Sequence, residues 1–536
     1  MGKIIETMIN RFDGGIVNDP RDPRENTARV VTNFDILANP NKMTPYRDSE
    51  DGDSAGSTSQ KQNFAVAIRT AQTYSLYALG RQSALNRAEV LYKNLDTGGS
   101  NDLGDNTWTN TANNQAGQAS PNYNLFVYFR RTGLIYGAHT GTHFFAYDPS
   151  GSAVFNDTSL VVTYTHVGQG HVHSKDNRLY VPYHNSAGSG GSRSFIARHD
   201  GSSWSATALT LPDHLIPTSV CEYGNFLAIG CADASGMGDS KVFLWNRDST
   251  ITTMSESVDW GSGSLVILHE VDGELIGISQ QGGAASSFSG MPAGTISFGD
   301  RVIFRRLNGN KAERFMELRG GSNTTLLPAA KQKIDNRLYF MMSISLNGAT
   351  REGVWSVGRS DYTQRFVLTH ERTPSNDTAL VSSAILYNFI KVGDYLFQSY
   401  ASSGSIDVSK TNNSSSFNHT AIYESKVFND GDSSIAKKLH GVSVMTEALP
   451  ANGQVVVKYA IDDVIGDGSW TTILTHDTDG AVYDSAVNIE STGGALPEYR
   501  EIQFRIEVTS GVSGTSPTEI TGFSYKSEVK GKRAYE

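Results

Sequence analysis

Asp176-Asn177-Arg178-Leu179-Tyr180-Val181-Pro182-Tyr183 is a polar turn that runs into a leucine and then a short apolar, aromatic stretch. Asp335-Asn336-Arg337-Leu338-Tyr339-Phe340 nearly copies it. Looser echoes are Gly224-Asn225-Phe226-Leu227-Ala228-Ile229, Asp272-Gly273-Glu274-Leu275-Ile276 and Gly393-Asp394-Tyr395-Leu396-Phe397. Two thinner members are Thr132-Gly133-Leu134-Ile135-Tyr136 and Tyr74-Ser75-Leu76-Tyr77-Ala78. The motif leucines, Leu76, Leu134, Leu179, Leu227, Leu275, Leu338 and Leu396, stand 45 to 63 residues apart. A unit of that length made of short strands, repeated along the chain, is the mark of a β-propeller with one blade per repeat.

The local chemistry agrees. Asp-Asn and Asp-Gly supply the positive φ that a tight hairpin needs. The run after each leucine then pairs back on the apolar run before it, as Leu275-Ile276-Gly277-Ile278 would on Leu265-Val266-Ile267-Leu268. A third strand follows at Ser194-Phe195-Ile196-Ala197-Arg198, Lys241-Val242-Phe243-Leu244-Trp245, Arg301-Val302-Ile303-Phe304 and Gly353-Val354-Trp355-Ser356-Val357. The fold class read from this is all-β: about seven blades over residues 61–428, an extended N-terminal arm and linker over 1–60, and a C-terminal antiparallel β-sandwich over 436–530.

At 536 residues, with 53 glycines and few helical runs, the composition fits an all-β, turn-rich protein of more than one domain. The net charge of −10 argues against a basic coat for nucleic acid. Residues 1–10 lack the apolar core of a signal peptide, and no run of about 18 apolar residues occurs anywhere. The chain is therefore expected to be made in a cytoplasm and not to insert in a membrane. Cys221 and Cys231 flank the Gly224-Asn225 turn out of register with each other and read as reduced and buried.

Residues 1–60 do not look like a blade. Pro20, Pro23, Pro40 and Pro45 forbid a long helix or central strand, yet Ile16, Val30, Val31, Phe34, Ile36 and Leu37 need burial. An extended arm lying along a surface, its own or a neighbour's, satisfies both. Asp96 to Pro121 reads as a long polar insertion, with shorter ones at 186–192 and 282–290. Past Lys437, alternating runs such as Gln454-Val455-Val456-Val457-Lys458-Tyr459 and Ile502-Gln503-Phe504-Arg505-Ile506 are half-buried strands of the sandwich, with Trp470 as its expected core anchor.

His171-Val172-His173 is the best metal candidate, because residues i and i+2 of a strand face the same way. Six residues before each later motif leucine stand Cys221, His269, Gln332 and Ile390, which is no ligand ring, so no metal is expected. Asp48 to Asp53 and Asp477-Thr478-Asp479-Gly480 lack the spacing of a calcium loop. Asp200-Gly201-Ser202-Ser203-Trp204 only grazes the Ser-x-Asp-x-Gly-x-x-Trp box of sialidase propellers. There is no Gly-x-Ser-x-Gly elbow, Walker loop or Cys-x-x-Cys. No cofactor is expected, and on motifs alone the chain is not expected to be an enzyme.

The stretch Phe12-Asp13-Gly14-Gly15-Ile16, then Pro20-Arg21, Ala28-Arg29-Val30-Val31-Thr32-Asn33-Phe34 and Lys42-Met43-Thr44-Pro45-Tyr46, resembles the opening of tailed-bacteriophage structural proteins. The tail nozzle proteins of short-tailed phages join such a start to a β-propeller, and the C-terminal sandwich is similar to domains appended to phage tail and neck proteins. The resemblance covers about a quarter of the chain. It implies a virion structural protein of a tail, nozzle or neck, made in the host cytoplasm and assembled in several copies. The arm residues Ile16, Arg21, Arg24, Val30, Phe34 and Ile36 would then pack on a neighbouring subunit. Implied partners are other virion proteins and further copies of the chain, with nucleic acid only in passing if the propeller channel is a DNA conduit. Two alternatives stand beside it: a receptor-binding tail protein recognising a host-surface glycan, and a glycan hydrolase.

Overall fold

The computed structural model describes residues 3–16, 27–52, 59–70, 73–82, 87–95, 102–110, 121–139, 143–150, 155–162, 164–185, 194–233, 238–281, 300–320, 324–346, 349–359, 365–374, 385–402, 405–411, 417, 420–465, 468–480, 483–488, 496–510 and 516–529. Seven antiparallel sheets form the blades of a propeller beside a β-sandwich. The innermost strands are Ser59–Thr70, Pro121–Phe129, the pair His166–Val167 and His171–His173, Leu215–Tyr223, Ser264–Val271, Thr325–Ile334 and Ile385–Val392, for blades one to seven. Each inner strand packs beside the next, and that of blade seven packs on that of blade one, so the ring closes. Closure removes the exposed sheet edges that an open row of blades would carry.

The motif turns adopt the expected left-handed geometry: Asn177, Asp272, Asp335 and Asn336 have φ of 49°, 53°, 47° and 61°. The strand after each motif leucine pairs back on the inner strand, as Leu275 does on Glu270 and Leu227 on Glu222. Cys221 lies opposite Ala228 and Cys231 opposite Pro217, so both thiols are free and buried.

Every inner strand is irregular at about the same height. The register shifts at Lys61/Asn63, Asn122/Phe126, Pro217/Ser219, Leu265/Ile267, Leu326/Lys331 and Leu386/Asn388, and blade three breaks between Val167 and His171. An extra residue bends a strand and sharpens its twist, which suits the crowded centre of a wheel. The bulges of blades two and six are the widest, each with three extra residues. The inner strands of these two blades come within 8 Å, Cα to Cα, across the axis. Leu327, Ala329 and Ala330 in the blade-six bulge are buried. The axis is closed there, which corrects the thought of a nucleic-acid conduit.

The N-terminal segment is not a free arm. Lys3–Ile9 pairs antiparallel with Ile520–Val529 at the edge of one sandwich sheet. Ala28–Thr32 lies between Ala421–Ser425, antiparallel, and Val367–Arg372 of blade six, where Thr32 faces His370 in parallel. Blade six and the second sandwich sheet are thereby one sheet of nine strands. Glu50–Asp51 then pairs with Ser409 and Lys410 as the outer strand of blade seven. Central strands covered on both faces read as continuous apolar runs, and Ala28–Thr32 is buried throughout. Ile16, Val30, Phe34 and Ile36 are 3%, 2%, 0% and 0% exposed. Packing of these four on a neighbouring subunit is therefore corrected: their own chain already covers them. Arg21 and Arg24 lie outside the described residues.

The domain limits shift accordingly. The last propeller strand ends at Thr411, and Ala421–Ser425, read as propeller, belongs to the sandwich. The sandwich core is built on Tyr423, Tyr499, Phe504, Phe523 and Tyr525. Trp470 is only half-buried, beneath the Arg505 guanidinium at 5.9 Å. The insertion after Asp96 also contributes to packing: Leu103 is buried, and Trp108 donates from Nε1 to Gly52 O at 2.9 Å.

Candidate functional site on the propeller axis

His171, Cys221, His269 and Gln332 pair with Tyr180, Ala228, Ile276 and Tyr339, in each case the residue after the motif leucine. They are therefore equivalent positions of blades three to six, brought round one axis. His171 and His173 face the same way, as strand alternation requires: His171 Nε2 and His173 Nδ1 both lie 4.0 Å from Glu222 Oε2. That carboxylate is held by Ser174, whose backbone N–H donates at 3.0 Å and whose hydroxyl donates at 2.6 Å. Among the described residues no group of three or more His, Cys, Asp or Glu could hold a metal ion.

The surrounding blades set the protonation of these groups. His171 keeps 30% of its side chain exposed. Burial nevertheless pushes it down to about 3, with the neighbouring Lys331 and His269 adding to the effect. His269 is pushed down to about 4 by burial and then by Lys331. Burial pushes the Cys221 thiol up to about 12. Burial works to raise Glu222, but the two Ser174 donors and the adjacent histidines prevail and hold it below the usual carboxylate range.

Lys331 is the member that reading the repeat missed. Its equivalents in neighbouring blades, seven residues before the motif leucine, are Val220, Leu268 and Phe389, all buried. A lysine at an apolar place of the repeat was the available signal. Lys331 Nζ donates to Ser219 Oγ at 2.5 Å, Leu268 O at 2.9 Å and Val220 O at 3.3 Å, so one side chain of blade six reaches blades five and four. Burial pulls its ammonium down to about 8.

Further ties cross the blade seams. Lys333 pairs with Glu270 at 2.8 Å, and Gln332 exchanges two hydrogen bonds with the Lys391 backbone at 3.2 and 2.8 Å. Asn388 Nδ2 donates to Asn63 Oδ1 at 2.5 Å where blade seven meets blade one. Arg359, 5% exposed, holds Asp272 at 2.9 Å and Glu274 at 3.1 Å. The exposed ties among these are worth little singly, but with the buried ones they fix the blades against each other. Glu222 and Glu270 stand at the same place of adjacent blades, five residues before Leu227 and Leu275. They are two carboxylates on the hairpin face of the wheel.

No protein-family model matches the sequence, and no curated protein matches it. Solved structures similar to the chain are β-propeller proteins. An exo-β-1,3-galactanase of Phanerochaete chrysosporium is 11% identical with a TM-score of 0.29, over 90% of this chain and 100% of that one. A Trypanosoma rangeli sialidase is 10% identical with a TM-score of 0.31, over 98% and 95%. The lectin SapL1, solved with α-methyl fucoside, is 8% identical with a TM-score of 0.33, over 59% and 98%. Likenesses this distant speak to fold alone. They do correct one expectation. The want of familiar motifs predicts a chain that is not an enzyme, whereas the propellers similar to it include glycoside hydrolases.

Proposed function

We propose that the chain is a structural component of a tailed-bacteriophage virion, built in several copies into a tail, nozzle or neck. One observation carries the reading. The N-terminal segment that bears the resemblance to phage structural proteins is also the segment that locks this molecule together, entering the sandwich, blade six and blade seven in turn. Load applied to the sandwich passes into the wheel through a continuous sheet, which suits an assembly part. Contact between copies, in this reading, uses surfaces other than the buried arm residues. The test is mass spectrometry of density-gradient-purified particles of the virus that encodes the chain. Its peptides are expected at fixed stoichiometry, and purified particles that lack them overturn the proposal.

A second reading is favoured by the equivalent carboxylates Glu222 and Glu270 on adjacent blades: recognition, or cleavage, of a host-surface glycan at the hairpin face. A glycan array probed with the full chain, followed by assay of reducing sugar released from any bound glycan, tests it. Binding lost in Glu222→Gln supports this reading, and no binding across the array removes it.

A further inference from the structure

Lys331 is a cation held among neutral oxygens. Its three donated hydrogen bonds end on a hydroxyl and two backbone carbonyls, and it forms none of the ion pairs found among the described residues. The nearby carboxylates are engaged elsewhere. Glu270 lies 2.8 Å from Lys333 and accepts the Gly273 N–H at 2.5 Å, while Glu222 accepts both Ser174 donors. A part-buried ammonium whose hydrogen bonds end only on neutral oxygens carries a charge that an anion would offset. Two imidazoles, His171 of blade three and His269 of blade five, stand at equivalent places round the same axis. His171 Nε2 is enclosed and makes no hydrogen bond. His269 Nδ1 lies 2.9 Å from Glu270 O, so that nitrogen carries the hydrogen and Nε2 is the one left to gain a proton.

We propose that the axial group of Lys331, His171 and His269 is a binding site for one small anion, a sulfate-like oxyanion or the carboxylate of an acidic sugar, taken up together with a proton. The anion brings the charge that Lys331 lacks, and an imidazolium made on arrival donates to it. The groups that face this site are Lys331 and Lys333 of blade six, His171 and His173 of blade three, Cys221 and Glu222 of blade four, and His269 and Glu270 of blade five. Glu222, 4.0 Å from His171 Nε2, competes for that proton. The two histidines are neutral without the anion because burial disfavours their charged form. Bound anion reverses that, so affinity rises as pH falls.

The test is calorimetric titration of the full chain at pH 8, 7 and 6 in a cationic buffer, with sulfate and, separately, glucuronate. Neither probe titrates in that range. One anion per chain is expected, with affinity rising up to about tenfold per pH unit for one proton taken up. Binding of sulfate alone identifies an inorganic oxyanion, and binding of glucuronate identifies an acidic sugar end. Lys331→Met should abolish binding. Should that variant fail to fold, the paired change His171→Gln and His269→Gln should leave an affinity that no longer varies between pH 7 and 6, where the Lys331 ammonium stays charged. No binding by the folded chain, or unchanged pH-dependent binding in the histidine variant, overturns the proposal. The inference does not rest on the virion reading, and particles that lack the chain would leave it standing.

Discussion

Phe34→Ala separates an arm that serves its own chain from one that serves a neighbour. The Phe34 side chain is wholly enclosed and belongs to the large core that also holds Phe12, Ile36, Tyr423 and Leu368. It pairs with Pro45 in the short hairpin that turns the N-terminal segment from the sandwich toward blade seven. Truncating a buried phenylalanine to alanine costs about 3–5 kcal/mol, the lost transfer free energy plus the cavity left behind. Folded domains are stable by only about 5–15 kcal/mol, so a fifth or more of the stability should go. The assay is urea unfolding followed by tryptophan fluorescence, reported by buried Trp245, Trp260 and Trp355. The midpoint should fall while the mass in solution stays that of the parent. A loss below about 1 kcal/mol together with a change in oligomeric state would refute the reasoning, because Phe34 would then be serving another subunit.

Other perturbations probe the same framework. Gly353 has φ of 133°, and a Cβ there would strike the Arg372 carbonyl across the blade-six register shift, so Gly353→Ala should destabilise by about 2 kcal/mol or more in chemical denaturation. His370 is fully buried between Thr32 and the Glu352 carbonyl, and burial, with Arg351 adding, pushes it down to about 3. It is neutral when folded but takes a proton below about 6.5 when unfolded. Its share of stability is complete above pH 6.5 and is lost as pH falls toward 3, reaching about 2 kcal/mol at pH 5. His370→Gln should flatten the acid slope of unfolding by that amount. Asn388→Leu removes the amide that bonds Asn63 at the seam of blades seven and one, which should cost about 1–3 kcal/mol and lower the melting temperature.

Local patterning determined much of this molecule. The turn-leucine-strand repeat set the blade count and the hairpins, because positive-φ turns and period-two burial are properties of a few adjacent residues. The same logic put His171 and His173 on one side of their strand. What neighbours they meet was not local. Lys331 looked like one more charge, and only closure of the ring carries its ammonium to Ser219, a residue 112 positions away in sequence. The N-terminal segment showed that it needed burial, since its apolar residues and prolines are in the sequence, but not against what. Its partners are Ala421–Ser425 and His370, hundreds of residues distant, and strand pairing over such separations is decided by which edges the completed wheel and sandwich leave open. The wide bulge of blade six likewise became a plug only when six other inner strands fixed how much room the axis had. A hydrophobic pattern states that a side chain must leave water, and the geometry of everything else states where it can go.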